Sequence, residues 1–394
     1  MTTGTLEPLL AAKEIVVFCG PGGVGKTTTA AAAAAMSAAS LGAKTLVVTV
    51  DPARRLADAL GMAGLGNAET PVGPAAFRAA GVEPRGELWA AMLDTKQSWD
   101  ELVHRHAPDP ATARRILANP LYENVSGRFV QSHDYIAMER LYEVHTSGRY
   151  DLVVVDTPPS RNALDFIRAP ERMAEFFASR LLRLLTAPAR SRLVTLASRP
   201  FYQLADRVLG SQFIEDIAEF FLLFQSMYEG FAERAEAVRR LVRARRTAFV
   251  VVTTLETTPL REAERFLATL VAEGLHPAAL VCNKVLPSYL LDPAAEARAE
   301  RLRTEAPRVA AALAADGGDP GAEVPAEALA RVLAEVGDSF RRFAVVAKRE
   351  AEQRAELARV PDTVVRVPYL DRDITDLAGL LALARALWGQ PEER

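Results

Sequence analysis

One short run of residues constrains the fold of this chain more than any other feature. The run, Gly20–Thr27, matches the pattern G-x-x-x-x-G-K-[ST]. It follows the apolar run EIVVFC and precedes an alanine-rich, helix-favouring stretch, Thr28–Ala39. Glycines at this spacing let backbone N–H groups turn inward around phosphate oxygens, and the following helix adds the positive end of its dipole. A strand before the run and a helix after it therefore predict a phosphate-binding loop in an α/β fold.

Each part of this loop has an expected role in binding ATP with Mg²⁺. The ammonium of Lys26 is expected to reach the β- and γ-phosphates and to act as a catalytic residue, while the hydroxyl of Thr27 ligates Mg²⁺. The residues predicted to contact the nucleotide here are Gly20, Pro21, Gly22, Gly23, Val24, Gly25, Lys26, Thr27 and Thr28.

Six apolar, β-branched runs bounded by turn residues are predicted to form buried strands. Because helical periodicity separates them, they indicate an α/β fold with a doubly wound, mostly parallel sheet. The runs are Glu14–Cys19, Thr45–Val50, Asp151–Val155, Ala248–Thr253, Ala278–Cys282 and Thr363–Val367.

Two connections between these strands are far longer than a crossover helix requires. They leave the sheet at the carboxyl ends of strands, which is the edge where open α/β sheets bind ligands. We therefore predict a single P-loop ATPase domain over residues 1–394, with an inserted helical subdomain contributed by about residues 58–145 and 165–245.

Two aspartates stand where predicted strands end. Asp156 ends the run DLVVVD, and its carboxylate is expected to face Mg²⁺ through water, as the second metal-site element of P-loop enzymes does. Asp51 ends the run TLVVTV; it is expected to orient the attacking water or accept its proton, and to approach Mg²⁺ through water. The alternative for Asp51 is an Asp-Pro turn that caps the following helix.

The adenine base is expected to bind at the ends of two late strands. The amide of Asn283 can both donate to and accept from the edge of the base, and Pro368 and Tyr369 could stack on its other side.

An apolar stripe marks the stretch Gln212–Arg243. Its aromatic and aliphatic residues recur at helical spacing, and two interpretations remain open. The stripe packs in the subdomain core, with Phe220 and Phe224 as its centre, or part of it lines an exposed groove for an apolar client protein. The groove candidates are Leu222, Leu223, Phe176–Phe177 and Leu181–Leu185.

Composition excludes several classes of protein. The net charge of −3 gives no electrostatic reason to expect a nucleic-acid partner. The N-terminus shows no signal-peptide pattern, and no run is long and apolar enough to span a bilayer, so we expect a cytoplasmic protein that is not integral to a membrane. The two cysteines, Cys19 and Cys282, fall inside predicted strands and are expected to be buried packing thiols.

Five motifs in order together resemble the ArsA family of ATPases, which includes arsenite-pump ATPases and ATPases that deliver tail-anchored membrane proteins. The wider group contains ParA/MinD and the nitrogenase iron proteins. The resemblance implies a dimer whose ATP sites face each other, and helical subdomains that close when ATP binds. The matching segments are GGVGKTTTA, VDPARRLADALG, VVVDTPPSRNALDF, CNKV and VPYLDRDITDLAGLLAL.

The chain departs from this family pattern at three places. The family loop begins K-G-G-x-G-K, and its first Lys reaches the partner's phosphates; Pro21 stands at that position and carries no charge. Arg54 replaces a His of the tail-anchor ATPases, and Arg161-Asn162 replaces a Gly-His pair. Arsenite capture is not expected, because it needs several thiolates brought together.

Two hypotheses follow for the function. The first is an ATP-hydrolysing switch, a homodimer or a heterodimer with a related ATPase, whose helical subdomains grip a client. The second is a regulatory subunit that binds ATP but hydrolyses it poorly, which Pro21 favours. A role in DNA partitioning is a weaker third, since the chain lacks a basic patch.

Overall fold

The structure is a computed structural model in which most of the chain is described. The described residues are 4–50, 55–119, 122, 130–157, 168, 175, 219–220, 222–223, 228–315, 325–357, 361–371 and 373–389. The strands are β1 (Ile15–Cys19), β2 (Lys44–Thr49), β3 (Thr70–Val72), β4 (Glu87–Met92), β5 (Leu152–Asp156), β6 (Thr247–Thr253), β7 (Pro277–Val285) and β8 (Thr363–Pro368).

Helices occupy most of the described sequence between the strands, and a π-helical turn, Ser37–Leu41, and a 3-10 turn, Ser288–Leu291, supplement them. The α-helices are α1 (Glu7–Ala12), α2 (Lys26–Met36), α3 (Arg55–Ala59), α4 (Pro74–Ala79), α5 (Thr95–His106), α6 (Pro110–Leu117), α7 (Val130–Thr146), α8 (Tyr228–Arg243), α9 (Thr257–Ala272), α10 (Pro293–Thr304), α11 (Ala306–Ala315), α12 (Ala326–Leu357) and α13 (Leu377–Leu387).

Several helices begin at an aspartate that the local sequence supplies. The carboxylates preceding α5, α6, α10 and α13 each accept a hydrogen bond from a backbone N–H of the first turn, which would otherwise lack a partner. Such caps contribute about 1 kcal/mol each. The capping residues are Asp94, Asp109, Asp292 and Asp376.

The described strands form one eight-stranded sheet in the order β3-β4-β2-β5-β1-β6-β7-β8. Every pairing is parallel except that of the edge strand β3 with β4. The mostly parallel sheet is confirmed, and all six predicted strands are present with small shifts at their ends. Strands β3 and β4 were not predicted, because β3 has three residues and β4, ELWAAM, lacks a β-branched run.

Alternate residues of the central strands pack into two separate cores. On β1, Ile15 and Val17 belong to a core shared with the helices α5 to α9, whereas Val16 and Phe18 belong to a core shared with α2 and α13. Both faces of the sheet are therefore covered, which is the doubly wound arrangement expected when strands are apolar on both sides.

The two long connections contribute helices to the first of these cores. The first connection also extends the sheet at one edge, since its residues 70–92 supply β3 and β4. Helices α7 and α8, one from each connection, meet at a partly buried ion pair between Glu139 and Arg234, with 2.6 Å between the charged atoms. Most of the second connection lies outside the described residues, so the bounds of the helical subdomain stay a prediction.

The apolar stripe before α8 is described only at a few positions. Phe220 is buried in the first core, as its assignment to the subdomain core requires. Leu222 and Leu223 are half-buried, and Leu223 packs against the same core, which leaves Leu222 as the better groove candidate. Phe224, Phe176–Phe177 and Leu181–Leu185 lie outside the described residues.

An insertion between β7 and β8 forms the helices α10 to α12. Helix α12 lies close against α10, because a Cβ added at Gly337 would come 2.5 Å from the carbonyl oxygen of Ala299. Within the described part of the chain, no helix combines the length and apolar character needed to cross a membrane.

Candidate nucleotide site

The loop between β1 and α2 depends on glycine at two positions. Gly20 has φ +138°, and a Cβ there would lie 2.2 Å from the carbonyl oxygen of Val252. Gly25, with φ +91°, ends the loop, and a Cβ there would lie 2.4 Å from Nδ2 of Asn283. Since both conformations strain any other residue, the glycine spacing in the sequence fixes the backbone path of this loop.

Helix α2 starts directly at the end of this loop. Its first residues, Lys26, Thr27 and Thr28, present their backbone N–H groups at the helix N-terminus, where a helix has no partners for them. Thr29 starts the regular bonding, since its N–H and its hydroxyl both donate to the carbonyl of Gly25, at 2.9 and 2.8 Å. The N–H groups of a first helical turn and the helix dipole together favour an anion at this point.

Lys26 is buried and folded back over the loop. Its Nζ donates a hydrogen bond to the carbonyl oxygen of Pro21 at 2.8 Å. Pro21 and Val24 are themselves buried, whereas Gly22 and Gly23 are exposed. The ammonium is therefore held inside the loop, at the place where phosphates would lie.

The end of β5 places a carboxylate beside this loop. Asp156 is fully buried and is paired in register with Phe18 on β1 and with Thr49 on β2. Its Oδ2 accepts a hydrogen bond from the hydroxyl of Thr49 at 2.9 Å. Asp156 thus lies at the carboxyl edge of the sheet next to the strand that leads into the loop, as predicted for a metal-site carboxylate. Thr49, which orients it, was not identified from the sequence.

An open cavity of about 610 Å³ extends from the loop across the end of the sheet. Its volume suits a small-molecule ligand. It brings together residues of the phosphate-binding loop and residues at the ends of β7 and β8, where the sequence predicts that the adenine base binds. The lining residues are Gly23, Gly25, Thr28, Arg55, Asn283, Lys284, Pro368, Tyr369, Leu370, Asp373, Ile374, Thr375 and Leu383.

Among the residues predicted to bind the base, Asn283 makes contacts within the protein that the sequence did not predict. The amide of Asn283 donates to the carbonyl of Val24 at 2.8 Å, and its Oδ1 accepts from the N–H of Lys284 at 2.9 Å. Asn283 therefore ties the loop to β7, and its remaining N–H and lone pair are what it can offer a base. Pro368 is half-buried and Tyr369 is exposed, so their surfaces are open to a stacked ring.

Three charged side chains of this cavity lack an ion-pair partner among the described residues: Arg55, Lys284 and Asp373. Lys284 adopts φ +57°, uncommon for a residue with a side chain, at an irregularity where β7 loses register with β8. Such irregularities re-aim side chains near functional sites. Asp373, in the loop after β8, was not identified as a site residue from the sequence.

Several predicted residues fall outside the described part of the chain, namely Asp51, Arg54, Arg161 and Asn162. Among the residues that are described, no group of three or more His, Cys, Asp or Glu side chains is placed to hold a metal ion. Magnesium is usually bound by one or two carboxylates together with substrate phosphates, so Asp156 and Thr27 fit a Mg²⁺ site that a nucleotide would complete.

Both cysteines are buried and reduced, as predicted. Burial raises the pKa of the Cys19 thiol well above its ordinary value, and it raises the pKa of Cys282 to about 12. A thiol that stays protonated is a poor metal ligand.

The sequence matches a family model over residues 13–307, and that family, ArsA_ATPase, is described as anion-transporting ATPase. The match begins just before β1 and includes the phosphate-binding loop, Asp156 and Asn283. It ends in the insertion after β7.

Individual relatives show similar, moderate identity. The ATPase GET3 of Malassezia globosa is 25% identical over 299 residues, which cover 72% of this chain and 76% of that protein. The protein SCO2128 of Streptomyces coelicolor, named as uncharacterized, is 30% identical over 294 residues, covering 72% of this chain and 67% of that protein. The ATPase get3 of Schizosaccharomyces pombe is 25% identical, covering 74% and 78%.

Proposed function

We propose that this chain, which belongs to the ArsA ATPase family, binds ATP with Mg²⁺ in the cavity beside α2 and hydrolyses it as a dimeric switch. One observation carries the proposal: the phosphate-binding loop, a buried strand-end carboxylate and a ligand-sized cavity lie on one edge of the sheet. The relatives named ATPase support hydrolysis as the reaction.

Each residue of the site has a defined task in this proposal. The backbone N–H groups of the loop and of the first turn of α2 bind the phosphates, and Lys26 exchanges the carbonyl of Pro21 for phosphate oxygens. Thr27 and Asp156 would hold Mg²⁺, which when bound withdraws charge from the phosphates. Thr49 keeps the carboxylate of Asp156 oriented through its 2.9 Å hydrogen bond. The base lies between Asn283 and the Pro368–Tyr369 surface.

Asp51 is proposed to orient the water that attacks the γ-phosphate. In the sequence it comes two residues after Thr49, the last residue of β2, and Thr49 is paired with Asp156 at the end of β5. Hydrolysis would release the residues after β2 and β5, which connect the site to the helical subdomain. In this way the state of the nucleotide would control the grip of that subdomain on an apolar client.

A second candidate function rests on Pro21. In P-loop ATPases a cation inserted at the phosphates is worth about 10³–10⁵ in rate. Pro21 is buried and offers only its carbonyl, which Lys26 occupies. If neither a partner subunit nor an arginine such as Arg55 supplies the cation, the chain is a nucleotide-binding regulatory subunit with slow turnover.

Turnover by purified protein tests the first proposal. We expect Asp51→Asn to keep ATP affinity and to lower kcat by about 10²–10⁴-fold, because an amide accepts no proton. Asp58→Asn serves as the matched control, since Asp58 is an exposed residue of α3 a short distance along the chain. Unchanged turnover in Asp51→Asn would assign Asp51 to helix capping instead.

The Pro21→Lys variant distinguishes the two candidates. Faster ATP turnover by the Pro21→Lys homodimer would mean that the missing cation limits the rate of the natural chain. If a related partner ATPase accelerates the natural chain to the same extent, the heterodimer is the working enzyme. A natural homodimer that already turns over quickly, unaffected by Arg55→Ala, would argue against any need for such a cation.

A further inference from the structure

The side chain of Asn283 extends from the end of β7 to the phosphate-binding loop. Its Nδ2 donates to the carbonyl oxygen of Val24 at 2.8 Å, across 259 positions of the sequence. Asn283 is 9% exposed and Val24 is 1% exposed. The bond is therefore a buried contact between two distant parts of the chain, where a polar group left without a partner would cost free energy.

The backbone of the loop passes directly against this amide. A Cβ added at Gly25 would lie 2.4 Å from Nδ2 of Asn283 and 3.7 Å from its Cγ. The absence of a side chain at Gly25 lets the loop and the amide come this close. Since the next residue, Lys26, begins α2, Asn283 supports the loop where the N-terminus of that helix starts.

Asn283 is itself held in one orientation. Its Oδ1 accepts from the N–H of Lys284 at 2.9 Å, so a flip of the amide would break the bonds at both of its ends. Lys284 has φ +57° at the irregularity where β7 loses its register with β8. Beyond this irregularity the N–H of Tyr369 donates to the carbonyl of Val285 at 3.0 Å, which attaches the end of β7 to the end of β8. The amide therefore extends from a fixed backbone.

The loop benefits from this contact because its own sequence provides little stiffness. Three of its glycines have positive φ, and glycine loses more conformational freedom on ordering than any other residue. The bond from Lys26 to the carbonyl of Pro21 does not hold the loop during phosphate binding, because the proposed function transfers the Lys26 ammonium to the phosphates. The bond from Asn283 persists there, since no phosphate is assigned to its amide.

We propose that Asn283 is a positioning residue for the phosphate-binding loop, whose bond to Val24 keeps the loop N–H groups directed at the phosphates whichever base the nucleotide carries. This inference rests on the proposed nucleotide site but not on hydrolysis. If Asn283 only contacted the base, its loss would not affect a ligand that has phosphates and no base. The two roles therefore make opposite predictions for such a ligand.

Inorganic triphosphate with Mg²⁺ is a ligand of this kind, and calorimetric titration of the full chain compares it with ATP. Asn283→Leu keeps the approximate size of the side chain and removes both polar atoms. We expect it to raise both dissociation constants by roughly tenfold, because the loop then populates conformations that do not bind. Tyr369→Ala should raise the dissociation constant of ATP alone, since its ring is assigned to the base.

Thr247→Val is the matched control for the loss of a buried hydrogen bond. Thr247 is 2% exposed, and its hydroxyl donates to the carbonyl of Leu241 at 2.8 Å, but it begins β6 at the opposite edge of the sheet. This variant should lower the melting temperature and leave both dissociation constants unchanged. Asn283→Ala, titrated in parallel, removes the same polar atoms without placing an apolar group against the loop, and circular dichroism checks that each variant is folded.

Three results would overturn the inference. The first is an Asn283→Leu or Asn283→Ala variant that loses affinity for ATP but binds inorganic triphosphate as the unmodified chain does, because Asn283 would then act on the base alone. The second is an equal loss of triphosphate affinity in Thr247→Val. The third is an unmodified chain that binds ATP but not inorganic triphosphate. A chain that binds neither ligand would refute the proposed function as well, so the two failures are distinguishable.

Discussion

Replacing Lys26 by Met should weaken ATP binding far more than ADP binding. Charge-assisted hydrogen bonds contribute about 1.5–3 kcal/mol each. In the proposed complex Lys26 gains two such contacts, to the β- and γ-phosphates, and loses its 2.8 Å bond to the carbonyl of Pro21. The net gain is one contact, or about 10- to 150-fold in the ATP dissociation constant. With ADP one contact is gained and one is lost, so the change should stay below about tenfold.

Calorimetric titration of both nucleotides measures this difference. Met preserves most of the volume of the buried side chain, so the fold should be retained, which thermal unfolding checks. Lys13→Met is the matched control: Lys13 also donates to a backbone carbonyl, that of Arg245 at 2.6 Å, but at the opposite end of β1. Equal losses for ATP and ADP, or no loss for either, would refute the position assigned to Lys26.

Three further predictions concern the residues around the site and the sheet. Thr49→Val removes the hydrogen bond to buried Asp156, so it should cost about 1–3 kcal/mol of unfolding free energy and raise the Mg²⁺ concentration needed for half-maximal turnover. Tyr369→Ala should weaken the binding of ATP and of ADP equally, by about 1–3 kcal/mol. Because Tyr369 is exposed, the melting temperature of the protein should not change. The hydrogen bond from His145 lowers the pKa of Glu14 below its ordinary 4.5, so Glu14→Gln should reduce the melting temperature most near neutral pH, and the difference should vanish as acid protonates Glu14.

The six strands found from the sequence share one property that local reasoning can detect. Each contains consecutive apolar residues, because a strand buried on both faces cannot alternate with polar residues, although the edge strand β8 also carries the exposed Arg366. Strand β4 exposes Glu87 and half-exposes Trp89 near the sheet edge, and β3 contains Pro71, so neither has that signature. Strand β4 is placed by its pairing with β2, and β3 by its pairing with β4, and no local pattern records these contacts.

The candidate site likewise contains residues that local patterns predict and residues that depend on contacts between distant parts of the chain. The loop and Asp156 were predictable, because a glycine pattern and a strand end are local features. Thr49 was not, since its role depends on β2 lying beside β5. Asn283 lines the cavity, and its contact with adenine stays a prediction. Its amide bond to Val24 follows from the close approach of β7 to the loop, which the sequence does not show.

The most direct test of the account is a structure of the chain bound to Mg²⁺ and a non-hydrolysable ATP analogue. We predict that the phosphates lie against the N–H groups from Gly23 to Thr28, that Lys26 has left the carbonyl of Pro21, and that the base contacts Tyr369. The metal should lie within reach of Thr27 and, through water, of Asp156. A nucleotide bound elsewhere, or one whose base lies away from Asn283 and Tyr369, would contradict the assignment of this cavity.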